Sequence, residues 1–213
     1  MRYDKRGHGL SDSPPGPYTL ADERADLAGL LAYLNLERPI VAGISVGGMI
    51  ALNYAAHHAV RGLVVADSTL RFGTAEYWQA RSAAIGTQGM EAMASSLASR
   101  WFAPDFAKRQ PAIYRGYVNM LARMPEDGYR STCDLLAQAD VSDYVEAIKA
   151  PALVLGGTQD LSSPPEVVRE LAAALPGASF ALIEDAGHLP CIEQPAAMAG
   201  ELMAFFTAQD LLQ

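Results

Sequence analysis

The chain is poor in cysteine, with Cys133 and Cys191 the only two among 213 residues. Two cysteines cannot staple a fold of this size, so buried free thiols in a reducing compartment are expected. Positive charge is also scarce: 16 Lys and Arg stand against 24 Asp and Glu, a net charge of −8. An acidic surface repels phosphate backbones, which argues against nucleic acid as a partner. No apolar run approaches the ~20 residues that span a bilayer. The stretch Met1-Arg2-Tyr3-Asp4-Lys5-Arg6-Gly7-His8-Gly9 lacks the apolar core of a signal peptide. A soluble, cytoplasmic protein with no membrane partner is therefore expected. H-E-x-x-H, C-x-x-C and G-x-x-x-x-G-K-[ST] are all absent, so no metal or cofactor is implied.

What is present is globular: 50% hydrophobic and 19% charged residues, in a length that suits one domain with an insertion. Residues 20–34 read as an amphipathic helix, with Leu20, Leu27, Leu30, Leu31 and Leu34 on one face and Thr19 as N-cap. Apolar, strand-like runs fall at 39–44, 62–66, 151–155 and 178–183, with helical patterns at 46–57, 165–175 and 194–206 between and after them. Buried strands alternating with helices predict a parallel sheet covered on both faces. The stretch 69–147 breaks the alternation with helical segments only. Its stripe Met90, Met93, Leu97 and Trp101 reads as helix-to-helix core. The expected organisation is a core of 1–68 and 148–213 with a helical lid at 69–147.

Gly43-Ile44-Ser45-Val46-Gly47 is G-x-S-x-G, followed by Gly48, with a strand pattern before Ser45 and a helix pattern after it. That context is a nucleophile elbow, which lifts a serine hydroxyl clear of the sheet. Glycines two residues either side are expected to avoid collisions with the turn and the neighbouring strand. The Val46 N–H, at the start of the helix, could stabilise an oxyanion. A serine needs a base. His188, in the loop after the fourth strand run, is the leading candidate. His8 is a weaker one, and His57 and His58 point apart on a helix end. The base needs a carboxylate to fix its tautomer. Asp160, after the third strand run, is preferred, with Asp67 at the end of the second as runner-up. The order Ser45, Asp160, His188 is that of α/β-hydrolases.

With these residues in place the chain resembles the α/β-hydrolase superfamily, and more narrowly the 3-oxoadipate enol-lactonases. Asp4-Lys5-Arg6-Gly7-His8-Gly9-Leu10-Ser11 is similar to the superfamily's D-x-R-G-x-G-x-S turn. The narrower resemblance rests on Pro15-Gly16-Pro17-Tyr18-Thr19-Leu20, the string GISVGGM from Gly43, Trp78-Gln79-Ala80-Arg81, Arg100-Trp101-Phe102, Glu126-Asp127-Gly128-Tyr129 and the run from Thr158-Gln159-Asp160 to Pro165. It implies an α/β-hydrolase fold with a helical lid. It also implies hydrolysis of an enol-lactone through an acyl-enzyme, in aromatic catabolism by the β-ketoadipate route. Ser45 would attack, His188 would move the proton and Asp160 would orient it. The small-molecule ester or lactone would carry a carboxylate, with Trp78, Arg81, Arg100 and Trp101 as candidate contacts. Arg81 alone reads equally as a solvated helix face.

Family members carry strands and an oxyanion loop ahead of the D-x-R-G-x-G turn, and Met1 falls where one of those strands ends. The expectation is a chain truncated at its N-terminus, with 39–44 exposed as an apolar edge. Such an edge invites self-association, and loss of one oxyanion donor would weaken activity. Two other readings stand beside the lactonase. One is another hydrolase of the fold, cleaving carbon–carbon bonds or general carboxylesters. The other is an inactive remnant or ligand receptor.

Overall fold

A computed structural model describes residues 1–212, so the last residue of the expected 148–213 core segment lies outside the described residues. The chain opens with a loop that leads to α1 (Leu20–Tyr33). Thr19 caps that helix: its side chain accepts from the Asp22 N–H, and the Asp22 carboxylate accepts from the Thr19 N–H at 2.9 Å. Leu27 and Leu31 turn inward as their spacing predicts, whereas Leu34 lies beyond the helix and is exposed. The surprise on the buried face is Glu23, fully enclosed and 3.4 Å from Lys5 Nζ. Burial raises the Glu23 carboxyl and lowers the Lys5 ammonium, each group resisting its own charge.

The α/β core then alternates as the sequence predicts. β1 (Ile40–Ile44), α2 (Val46–His57) and β2 (Gly62–Ala66) precede the helical stretch, and β3 (Ala152–Gly157), with α7 (Pro165–Ala174), β4 (Ser179–Ile183), α8 (Pro190–Glu193) and α9 (Pro195–Ala208), follows it. All strand pairs are parallel, in the order β1-β2-β3-β4. Alternating side chains feed two layers. Leu63, Val65 and Val154 join Leu27, Met49, Leu52 and Leu171 on the α1, α2 and α7 face. Val64, Ala66, Leu153, Leu155 and Ile183 pack against Met198, Phe205 and Leu211 on the α9 face. Among the described residues β1 is an edge strand, with Ala42 exposed and Ile40 and Ile44 half-buried.

Between β2 and β3 the chain is helical: α3 (Ala75–Ala98), α4 (Phe106–Arg109), α5 (Pro111–Ala122) and α6 (Glu126–Gln138). Gly89, with φ of 80°, breaks α3 into two helical runs. Met90 and Leu97 of the predicted stripe enter a third apolar cluster with Ile85, Leu121, Tyr129 and Cys133. Met93 and Trp101 pack at its margin. The paired expectation of buried thiols needs correction, because Cys133 is buried but Cys191 is exposed on the short α8. Its solvent-facing position on that turn follows no apolar periodicity that the sequence displays.

Thr19→Ala removes the side-chain half of the capping box and should lower the unfolding free energy by about 1 kcal/mol. Leu155→Ala, in the middle of the sheet, should lower it by about 2–5 kcal/mol. Urea unfolding of both variants checks the ranking, and equal losses would contradict the two-layer packing described above.

Candidate active site

The elbow is built from contacts that the sequence shows only in part. Ser45 links β1 directly to α2 with φ of 57° and ψ of −123°. Its N–H donates to the Ala66 carbonyl at 2.9 Å, and its own carbonyl accepts from Ser68 Oγ at 2.8 Å. A Cβ on Gly43 would sit 2.0 Å from the Gly47 carbonyl oxygen, and one on Gly48 would sit 2.6 Å from Ser68 Cβ. Gly47 departs from expectation, since a Cβ there meets nothing within 4 Å. The close approaches are therefore at Gly43 and Gly48. Val46 is the first residue of α2, so its N–H has no partner within the helix.

Asp160 and His188 meet in the loops after β3 and β4. Asp160 Oδ2 lies 2.7 Å from His188 Nδ1, and both residues are buried. Asp160 Oδ1 accepts from the Ser162 N–H at 2.7 Å, while Ser163 Oγ lies 2.8 Å from Oδ2. Burial works against charge on Asp160. Even so, the hydrogen bond and charge of His188, with the Ser162 and Ser163 donors, hold its carboxyl below the ordinary value. The His188 N–H donates to the Trp101 carbonyl at 3.0 Å. Glu193 braces the same loop by accepting from the N–H groups of Gly187 and Ala103, at 2.8 and 2.9 Å.

Ser45 and His188 line one cavity of about 300 Å³, together with Val46, Trp78, Arg81, Arg100 and Trp101. The structure thus brings every sequence-predicted site residue except Asp160 to the cavity wall, and Asp160 stands behind His188. Arg81 is half-buried at the cavity wall. Its guanidinium lies 4.8 Å from the ring centroids of both Tyr77 and Trp78 and contacts the Tyr77 hydroxyl. Trp78 is itself fixed by its Nε1–H donating to the Phe72 carbonyl at 2.6 Å. Arg100 donates to the Leu161 carbonyl at 2.8 Å.

His8 also reaches the cavity. Burial, then Lys5, pushes its imidazole down to about 4, and its Nδ1 lies 3.2 Å from the Arg6 carbonyl. It is a neutral ring with Nδ1 protonated. His57 instead bonds the Asn53 carbonyl and His58 stacks on Tyr54, away from the cavity. Sequence reasoning missed Tyr77, Tyr129, Thr132 and Cys133 in the wall and Ser163 and Glu193 behind it. The Cys133 thiol is pushed up to about 12 by burial and is inert as a nucleophile. A second, more apolar groove of about 660 Å³ runs from Ser45 and His188 along β1.

Asp67, at the end of β2, is fully enclosed beside this pair. One ligand atom each from Asp67, Asp160 and His188 lie within 4.8 Å of one another. Since Asp160 and His188 already face each other at hydrogen-bond distance, the group reads as a proton-sharing set rather than a cage for a cation.

A strand-to-helix elbow bearing serine and a buried Asp–His pair at the strand ends define an α/β-hydrolase arrangement. The profile described as the alpha/beta hydrolase family matches residues 1–201, and the chain belongs to that family. It is 34% identical to 3-oxoadipate enol-lactonase 2 of Acinetobacter baylyi over 92% of this chain and 73% of that protein. The solved enol-lactonase from Burkholderia xenovorans LB400 superposes with a TM-score of 0.93 and 35% identity, covering 97% of this chain and 80% of that one. A thermophilic esterase from Thermogutta terrifontis, solved with malate bound, gives 0.90 and 28% over 97% and 78%. The chain is a hydrolase of this family.

The two outer glycines of the elbow should behave differently. Gly43→Ala should cost several-fold more stability than typical surface changes of about 0.5 kcal/mol, because backbone must move. Gly47→Ala should fold at least as stably as the parent, by up to about 1 kcal/mol, as alanine favours the helix. Thermal melts compare them, and a Gly43→Ala protein melting with the parent would contradict the contact.

Proposed function

We propose that the protein hydrolyses a carboxylate-bearing ester or lactone through an acyl-enzyme on Ser45, with an enol-lactone of a 3-oxo-dicarboxylic acid as substrate. The observation that carries this reading is the buried 2.7 Å Asp160–His188 pair, with His188 sharing one cavity with an elbow-borne Ser45. Asp160 accepts a hydrogen bond from Nδ1–H and leaves Nε2 of His188 as base. Ser45 Oγ gives its proton to His188 and bonds to the lactone carbonyl carbon. The Val46 N–H faces the oxyanion that forms. The ring C–O bond then breaks, and the enol oxygen takes the proton from His188. Water, deprotonated by His188, cleaves the acyl-serine bond and releases the acid. The freed enol becomes the ketone.

The wall suits such a substrate. Arg81 is a cation held against two aromatic rings, and Arg100 adds a second cation, beside apolar Trp78, Trp101 and Leu136. Arginine recognises carboxylates through paired donors. The names of the relatives support the same chemistry: two Acinetobacter baylyi proteins, 34% and 33% identical, are enol-lactonases. Malate, a dicarboxylate, occupies the similar esterase. The β-ketoadipate route, in the cytoplasm, is the setting this reading implies.

Ser45→Ala should abolish turnover, with losses on the order of 10⁴ or more, and should abolish labelling by a fluorophosphonate. Activity within a few-fold of the parent would remove Ser45 as nucleophile. Asp160→Asn should lose far more turnover than Asp67→Asn. Arg81→Ala should raise KM for a carboxylate-bearing lactone by about tenfold, the scale of one charge-assisted hydrogen bond, and leave KM for p-nitrophenyl acetate nearly unchanged. Steady-state kinetics on the two substrates check this, and equal effects would take Arg81 out of substrate recognition.

A further inference from the structure

Asp67 is a buried ionisable group beside the Asp160–His188 pair that the mechanism above leaves unused. Its Oδ1 accepts from the Gly157 N–H at 2.7 Å, and its carbonyl accepts from Ser163 Oγ at 2.7 Å. Its Oδ2 is buried without a hydrogen-bond partner, and one carboxylate oxygen of Asp67 lies within 4.8 Å of one of Asp160. We propose that Asp67 is a neutral carboxylic acid whose Oδ2–H donates to the Asp160 carboxylate, making it a positioning residue for the Asp160–His188 pair. The proposal rests on the reading in which His188 is the base.

The donor inventory decides which acid keeps its proton. Asp160 has the Ser162 N–H on one oxygen and His188 on the other, and the single Ser163 hydroxyl proton is shared between that second oxygen and the Asp67 carbonyl. Asp67 has one backbone donor. Two carboxylates this close and out of water do not both ionise. The charged and titratable groups facing Asp67 are Asp160 after β3, His188 after β4, and Glu193 and Cys191 on α8. None except a protonated His188 is positive. Burial pushes the Asp67 carboxyl up to about 9; Asp160 and Glu193 add to this, and the Gly157 N–H opposes it.

A proton on Oδ2 satisfies the one orphaned atom and gives Asp160 a further donor. That bond holds the Asp160 carboxylate toward His188 Nδ1–H. It also draws off part of the negative charge that stabilises the imidazolium. The protonated acid therefore sets both the aim and the strength of Asp160.

Two variants test this. In Asp67→Asn the amide oxygen can accept from Gly157 and the NH₂ can donate to Asp160, so the amide mimics the protonated acid. Asp67→Ala removes both groups. The first readout needs no activity. A carboxyl whose folded value is raised is fully stabilising only below its unfolded value, and that contribution is lost as pH rises toward the folded one. Asparagine does not titrate. The melting temperature of Asp67→Asn, relative to the parent, should therefore climb from about pH 4 to about pH 9. A flat or falling difference overturns the proposal.

The second readout is the acidic limb of kcat/KM for p-nitrophenyl acetate. Asp67→Ala should move it up by about half a pH unit or more, because the undiluted Asp160 charge retains the imidazolium. Asp67→Asn should restore the parental limb. A downward shift in Asp67→Asn would mean that Asp67 carried charge, and an unmoved limb in Asp67→Ala would mean that it does not act on the pair. Either result overturns the proposal. If Asp67→Ala does not fold, the melting series of Asp67→Asn still decides. If Ser45→Ala remains active, the hydrolytic reading fails while the melting series reports on the Asp67 proton independently.

Discussion

The site depends on a single backbone constraint, the positive φ of Ser45 between β1 and α2. A non-glycine residue held at 57° in an extended-to-helix turn stores on the order of 1–3 kcal/mol. Such strain persists only where the surroundings over-determine it. Here the Ser45 N–H is tied to β2 through Ala66, and its carbonyl is tied to Ser68 just beyond that strand. Gly43 lets the strand pass against the Gly47 carbonyl, and Gly48 lets α2 lie on Ser68 and Val65. The parallel pairing of β1 with β2 therefore fixes the position of the serine, and α2 follows from there.

The same sheet edge gathers acidic groups into a dry space. Asp67, Asp160 and Glu193 are all buried within reach of His188 or its loop. Each is held by donors rather than by a cation. Glu193 takes N–H groups from Gly187 in the core and from Ala103 in the loop between α3 and α4, so one carboxylate joins the base-bearing loop to the helical insertion. On the far side of the cavity Lys5 performs a similar join, reaching Glu23 of α1 at 3.4 Å and Thr132 of α6 at 2.6 Å. The insertion is anchored to the core through polar contacts in addition to its own apolar cluster. Breaking either join leaves a buried polar group unpaired, which costs more than a surface ion pair gains.

β2 and β3 were legible because parallel strands buried on both faces read as continuous apolar runs, and all four strands fall within two residues of their expected bounds. The elbow was legible because G-x-S-x-G sits between two periods, that of a strand and that of a helix. The acid was not unique in sequence: Asp67 and Asp160 both follow strands, and only the geometry puts Asp160 Oδ2 at 2.7 Å from His188. Glu23 was hidden because it occupies a helix position favourable to any acid near an N-terminus, although its partner Lys5 comes from the loop folded over it. Gly47 shows the opposite error, a glycine that satisfies a motif without a steric demand. Ser163 and Glu193 carry no pattern, since one hydroxyl and one carboxylate are placed by loops that no periodicity describes.

The cavity wall separates two roles that one residue type could play. An arginine on an exposed helix face normally spreads its stem over apolar surface and leaves its head in water. Arg81 instead has its guanidinium against the rings of both Tyr77 and Trp78, and the Trp78 Nε1–H is bonded to the Phe72 carbonyl. The ring faces attract the cation without consuming its in-plane donors, and the Tyr77 hydroxyl takes one of them. Contact with both rings restricts the guanidinium and lowers the ordering cost that an arriving anion would have to meet. A carboxylate entering the cavity would meet a preorganised fork, and preorganisation raises affinity by removing the ordering cost. On the proposed reading, a net charge of −8 is compatible with an anionic substrate for this reason. The two arginines of the wall act at contact distance, where the repulsion of the distant surface carboxylates is screened over about 8–10 Å of salt solution.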